Sequence, residues 1–202
     1  MEKTKAEKLL QLIKKQGMIK TTDIVKQGFS REYIKRFYDQ GLLVKLSRGI
    51  YMLSDAPIKE NLSLAEVSKR VPNGVICLLS ALRFHGLTTQ SPYEVWVAIG
   101  HKTHPPKLDS TSIHVNYFSS KALDLGVEEH IIAGVNVKIF SAAKTVIDCF
   151  KFRNKIGLDI AIEALKDCWY QHKSTLAELW HFAKACRMQN VIRPYLEVVT
   201  NG

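Results

Sequence analysis

Ala6, Leu9, Leu10 and Ile13 recur at i, i+3, i+4 and i+7, the spacing of a single apolar helical stripe, while Lys5, Lys8, Gln11, Lys14 and Lys15 fill the rest of that segment. A first amphipathic helix is therefore predicted to end near Gly17. Met18-Ile19-Lys20 is short and reads as an extended link. Thr21-Thr22-Asp23 then offers N-cap chemistry for a short helix that turns Ile24 and Val25 inward and closes at Gly28. Ser30 can cap a third helix, with Ile34, Phe37 and Tyr38 as its buried stripe and Gly41 as its stop. At 100° per residue its outward face is centred on Glu32, Arg36 and Asp39, flanked by Tyr33, Lys35 and Gln40. Two β-prone runs follow, Leu43–Leu46 and Ile50–Leu53, around Ser47-Arg48-Gly49, which predicts a hairpin. Three helices and a hairpin in this order are the plan of a winged helix-turn-helix.

The polar, proline-containing stretch Asp55–Asn61 separates this region from the remainder and divides the chain into residues 1–57 and 58–202. Beyond it, Ser63 can cap a helix through Leu64, Ala65 and Val67 that must stop before Pro72. Val75 to Phe84 is apolar nearly all round, which predicts a central helix ending at Gly86. Strands are predicted at Tyr93–Ile99, Ile113–Phe118, Glu129–Ile132 and Val135–Phe140, the last two joined by the turn Ala133-Gly134. Helical stretches follow over about 141–152, 156–170, 174–187 and 188–199. The expected fold is α+β: an N-terminal winged helix-turn-helix, then a mixed domain with a small β-sheet and a helical C-terminal half.

Charge changes the picture more than length or composition does. The 202 residues carry 29 Lys+Arg against 19 Asp+Glu, a formal +10. Residues 1–57 hold 12 basic and 6 acidic side chains (12 − 6 = +6), and residues 58–202 hold 17 and 13 (17 − 13 = +4). The excess is densest where the winged helix is expected, so a polyanion is the expected partner. At 46% hydrophobic and 24% charged residues the chain has enough apolar content for a packed core. It contains neither a run of about 20 apolar residues that a bilayer span needs nor a signal-peptide core, so no membrane association and a cytoplasmic location are expected. Cys77, Cys149, Cys168 and Cys186 form no C-x-x-C pair and are expected to be reduced core thiols.

In a duplex groove the planar fork of Arg36 can meet guanine O6 and N7 together, which makes it the candidate for base contact. Arg31, Tyr33 and Lys35 are candidates for phosphate or sugar, and Lys45 and Arg48 for phosphates beside the wing. Each has a plainer reading: Glu32 and Arg36, four apart, can form a solvated helix pair, and Tyr33 can pack on the wing. The lysines of the first helix fit a solvated face. Phosphate-loop, dinucleotide, serine-hydrolase and zinc-protease motifs are absent. His101-x-x-His104 has metal-like spacing without a third ligand and is read as loop, so no metal and no cofactor are expected. His85, at a predicted helix end, suffices as a cap. Glu94, Asp109, Glu128 and Glu129 would have to be assembled by folding to make a nuclease centre. Trp169-Tyr170, Trp180 and Phe182 are expected to be core or interface anchors.

Several motifs, taken together, carry a family resemblance. Arg48-Gly49-Ile50-Tyr51 closes the wing, Val75-Ile76-Cys77-Leu78-Leu79-Ser80-Ala81-Leu82 leads to His85-Gly86-Leu87, and Val95-Trp96-Val97-Ala98 and Lys144-Thr145-Val146-Ile147-Asp148 follow. Over most of its length the chain resembles the AbiEi antitoxins of bacterial abortive-infection systems. The resemblance implies a non-enzymatic, DNA-binding autorepressor acting on inverted repeats in its own promoter. It also implies a type IV antitoxin that counters a nucleotidyltransferase-like toxin without a stable complex, in phage defence. On that reading the protein is a monomer or weak dimer that pairs on DNA, and Lys144, Thr145 and Asp148 are candidates for antitoxin function. Family members usually carry arginine where this chain has Lys144, which removes a bidentate fork there. Asp148 can equally pair with Lys144, four residues before it. Two alternatives stand beside this one: a nuclease with an N-terminal DNA-delivery module, and a plain winged-helix regulator whose C-terminal domain senses a ligand or a protein.

Overall fold

The structure, a computed structural model, describes residues 4–56, 60–101, 103 and 111–201. Helix α1 (Lys5–Gln16) opens with a capping box in which Thr4 and Glu7 satisfy each other's backbone N–H groups. Strand β1 (Met18–Lys20), α2 (Thr21–Lys26), α3 (Arg31–Asp39), β2 (Leu43–Ser47) and β3 (Ile50–Leu53) follow. The winged helix-turn-helix is thus present. Its core is Leu9, Ile13, Ile19, Ile24, Ile34, Phe37 and Leu43, the stripes of all three helices closed by two strand residues.

Four local expectations change, the first being that α2 turns only Ile24 inward and leaves Val25 exposed. Met18–Lys20 is not a link but a strand, paired antiparallel with β3 so that the small sheet runs β1-β3-β2. Its hydrogen-bond partners lie about 30 residues away, and a three-residue window shows none of them. Helix α2 starts at Thr21 with Lys20 as N-cap and without a side-chain cap. Tyr38 is 48% exposed, meeting Tyr51 edge-on at 6.1 Å instead of joining the buried stripe.

Helix α4 (Leu62–Arg70) begins one residue before Ser63, with Asn61 in the left-handed region as N-cap and no side-chain cap. Then come β4 (Val75–Ile76), α5 (Leu78–His85), β5 (Val95–Gly100), β6 (Ile113–Phe118), α6 (Ser120–Leu123), β7 (Val127–Ile132) and β8 (Val135–Phe140). Five helices end the chain: α7 (Ala142–Lys151), α8 (Arg153–Ile156), α9 (Leu158–Tyr170), α10 (Leu176–Ala185) and α11 (Gln189–Asn201). The five-stranded sheet has the order β6-β5-β4-β8-β7. The predicted helix from Val75 is split, because Val75 and Ile76 form the middle strand, antiparallel to β5 and parallel to β8. A strand buried on both faces is apolar at every position, as a buried helix is, and only length separates the two. Ala133 and Gly134 both have positive φ, 49° and 78°, as a two-residue hairpin turn requires.

The chain divides into two compact units. The first runs to Pro72 and includes Thr111, Ser112 and His130–Val137; the second is built on the remainder. In the second, the helix at the centre is α7, with every residue from Ala142 to Phe150 buried. Trp169, Trp180 and Phe182 pack against this core, whereas Tyr170 is exposed. Among the described residues no helix is long and apolar enough to cross a membrane.

All four cysteines are free and buried. Burial pushes the Cys77 and Cys149 thiols well above their ordinary range, with the Asp148 carboxylate acting in the same direction, and holds Cys168 at about 12. Since the thiolate is the reactive form, the native protein should resist N-ethylmaleimide at neutral pH and take up four equivalents only when denatured. Intact-mass spectrometry measures this, and fast native labelling would mean that the core is open.

Candidate nucleic-acid interface

Helices α2 and α3 make the helix-turn-helix. The turn is built on Gly28 at φ 84°, and the Phe29 N–H returns to the Ile24 carbonyl at 3.2 Å. Ser30 then caps α3, its Oγ accepting the Glu32 N–H at 3.3 Å. With Ile34 and Phe37 committed to the core, Arg31, Glu32, Lys35, Arg36, Asp39 and Gln40 are left on the exposed face. Arg36 lies along its own helix, the guanidinium carbon 4.9 Å from the centroid of the Tyr33 ring and 5.6 Å from that of Phe37. Among the described residues Glu32 and Arg36 form no ion pair, so the solvated-pair reading is not what the structure adopts. Tyr33 is half-buried, tilted against Phe37 at 6.3 Å.

The wing is the β2–β3 hairpin, with a bulge between Lys45 and Ser47 and an exposed tip at Arg48. Gly49 takes φ 74°, and its carbonyl accepts the Thr21 N–H at 2.9 Å, so the tip is tied to the first residue of α2. Lys45 is exposed on the same hairpin. A cation missed in the sequence reading also bears on it: Arg70, the last residue of α4, donates to the Ser47 hydroxyl and to the Arg48 carbonyl, each at 2.8 Å. No periodicity flags Arg70, because its partners lie 22 and 23 residues earlier. Lys20, half-buried at the start of α2, has its ammonium pKa held below the ordinary range. Burial is the larger cause, Asp23 opposes it, and Arg70, Lys69 and Lys26 add to it. Cationic side chains thus crowd the base of the wing, which is the electrostatic setting a phosphate chain requires.

The second group of candidates lies inside the other unit. Lys144 and Asp148 form an ion pair with side chains 0% and 1% exposed. The ammonium also sits over the rings of Phe140 at 4.2 Å and Phe118 at 5.2 Å. Burial raises the Asp148 carboxyl above its ordinary pKa, and the pull of Lys144 does not cancel it. Asp148 Oδ1 has no hydrogen-bond partner. Thr145 Oγ1 donates to the Phe140 carbonyl at 3.2 Å, and His85 Nε2 meets the same oxygen at 2.7 Å. His85 therefore bonds the end of β8, which goes beyond the helix-capping role expected of it. None of Lys144, Thr145 and Asp148 reaches solvent.

The described residues among those weighed for metal or nuclease chemistry lie in separate contacts. Glu94 Oε2 is 3.3 Å from His114 Nδ1, and the His114 ring stacks on Trp96 at 3.9 Å. His101 stacks on Tyr117 at 5.9 Å. Glu128 and Glu129 lie on β7, and His104 and Asp109 lie outside the described residues. Among the described residues no group of three His, Cys, Asp or Glu side chains is placed to hold a metal ion.

Residues 7–54 match the family model of the AbiEi antitoxin transcriptional regulators. Among solved structures, the crystal structure of the RV2827C protein from Mycobacterium tuberculosis aligns over 89% of this chain and 71% of its own, with a TM-score of 0.59 and 12% sequence identity. That likeness is one of fold. No curated protein matches the sequence.

Proposed function

We propose, from the AbiEi antitoxin-regulator domain over residues 7–54, that this protein is a transcriptional autorepressor and the antitoxin of a type IV, abortive-infection module, countering a nucleotidyltransferase-like toxin without forming a stable complex with it. Residues 1–57 read DNA. Arg36 is the base-reading side chain, Arg31, Tyr33 and Lys35 hold phosphate or sugar, and Lys45 and Arg48 hold phosphates beside the wing. Residues 58–202 carry the antitoxin action. Lys144, Thr145 and Asp148 serve it by holding α7 in place, since a toxin could not touch them in the folded protein. No catalytic step is assigned, and the protein works in the cytoplasm.

The observation that carries this reading is the α3 face: its donors are exposed, Arg36 is not engaged by Glu32, and Arg48 stands exposed at the tip of the neighbouring hairpin. One module of this size touches few phosphates, so two copies on an inverted repeat are needed for tight binding. Fluorescence anisotropy with a duplex from upstream of its own gene should show binding that prefers that sequence over a scrambled one. The affinity should fall steeply with salt, with a log–log slope of roughly −0.9 per phosphate contacted. Equal affinity for both duplexes would reject the repressor, and failure of co-expression to protect cells from the adjacent toxin would reject the antitoxin.

A further inference from the structure

We infer that Arg70 is a positioning residue for DNA binding, clamping the wing so that Arg48 is presented to a phosphate; the inference rests on the DNA-binding reading above. A two-residue tip with glycine in the left-handed region has little stiffness of its own. Here each end of the tip is tied down. One guanidinium nitrogen of Arg70, Nη2, donates to both Ser47 Oγ and the Arg48 carbonyl at 2.8 Å, bridging the end of β2 to the tip. From the other side, Thr21 donates to the Gly49 carbonyl through its N–H at 2.9 Å and its hydroxyl at 3.4 Å. Both tip carbonyls are thereby turned toward the protein, and the Arg48 side chain is left exposed.

Arg70 also faces a carboxylate, at ion-pair distance and without a hydrogen bond to its Nε. Glu66, one helical turn earlier, places Oε1 4.0 Å from Arg70 Nε, and its other oxygen accepts the Thr111 hydroxyl at 2.6 Å. Ser47 and Glu66 are both buried. With its side chain only 15% exposed and Nη2 used twice, Arg70 is poorly placed to neutralise a phosphate directly. A planar fork suits this bridge better than an ammonium, which is a point charge on a flexible stem.

The test compares full-length Arg48→Ala, Arg70→Ala, the double variant and Ser47→Ala, reading affinity for the upstream duplex against salt, with Tm recorded for each. The expected result is that Arg48→Ala and Arg70→Ala each weaken binding roughly tenfold, the order of one charge-assisted contact. Each should flatten the salt slope by about 0.9, and the double variant should be no flatter than either single one. Ser47→Ala, which removes no charge, should flatten the slope in part. Arg70→Lys should restore less than half of the lost affinity. Two separate losses in the double variant would mean that Arg70 touches DNA itself. An unchanged slope with a lowered Tm would mean that it only stabilises the fold. Either result overturns the inference while leaving the repressor standing, whereas a wild-type protein indifferent to salt and sequence removes both.

Discussion

Replacing Asp148 by asparagine is expected to destabilise the second unit by about 3–5 kcal/mol, the cost of stranding a buried charge, which for a chain of this size is on the order of 10 °C in Tm. The amide has nearly the shape of the carboxylate, so the loss is electrostatic. Lys144 would keep an ammonium group with none of its surface in water and no counter-charge, only a neutral amide oxygen and the ring faces of Phe140 and Phe118 as partners. Its side chain is fully buried, and its Cβ packs so close to Gly126 that a Cβ added there would lie 2.8 Å from both Lys144 Cβ and the Phe182 ring. The raised pKa of Asp148 says that burial already outweighs the attraction within the pair. Removing both charges should therefore be far milder than removing one: Lys144→Met with Asp148→Leu should return most of the lost stability or exceed the wild type. Urea unfolding of the two single variants and the double variant measures this. A double variant as unstable as the sum of the singles would show two independent packing roles instead. The same series separates structure from antitoxin action. If protection from the toxin falls in the asparagine variant and recovers in the double variant, the pair acts through the shape of α7.

The features legible along the chain were those whose cause is local. The α1 stripe, the Ser30 cap, the Gly41 stop and the hairpin around Arg48-Gly49 each depend on residues within one turn or one tight loop of each other. Features set by partners far along the chain were not legible. Met18–Lys20 becomes a strand only because β3 lies beside it, and Val75–Ile76 only because β5 and β8 flank it. Apolar density around Val75 pointed to the central helix, but the helix buried on every face is α7, which carries a lysine, a threonine and an aspartate. Polar residues conceal a buried helix from any hydrophobicity pattern when they pair with one another, as Lys144 and Asp148 do. The candidate DNA surface follows the same division: Arg36 and Arg48 are visible from helical phase and turn chemistry, while Arg70 is visible only through bonds that span more than 20 residues.

Arg36→Ala is expected to lower discrimination at one base position of each half-site by about 1–3 kcal/mol while leaving affinity for scrambled DNA almost unchanged. Base reading requires a fork that arrives pre-aimed, and on the proposed reading the aim comes from Tyr33, whose ring lies 4.9 Å from the guanidinium carbon and is itself packed on Phe37. Cation–π contact keeps the side chain along the exposed face at small entropic cost and leaves its N–H edge available. The neighbouring acids sharpen the division of labour. Glu32 and Asp39 are exposed on the same face, and their charges oppose any phosphate that approaches α3 broadside. Arg36 is thereby suited to the groove floor and Arg48, at the hairpin tip, to the backbone. Accordingly Tyr33→Ala should lose part of the same discrimination as Arg36→Ala, and adding it to Arg36→Ala should cost little further discrimination, although affinity for every duplex falls with the loss of the Tyr33 phosphate or sugar contact. Arg48→Ala should weaken every duplex alike and flatten the salt slope by about 0.9. A panel of single-base operator variants titrated against the three proteins separates these roles, and matching profiles for Arg36→Ala and Arg48→Ala would mean that α3 does not read bases.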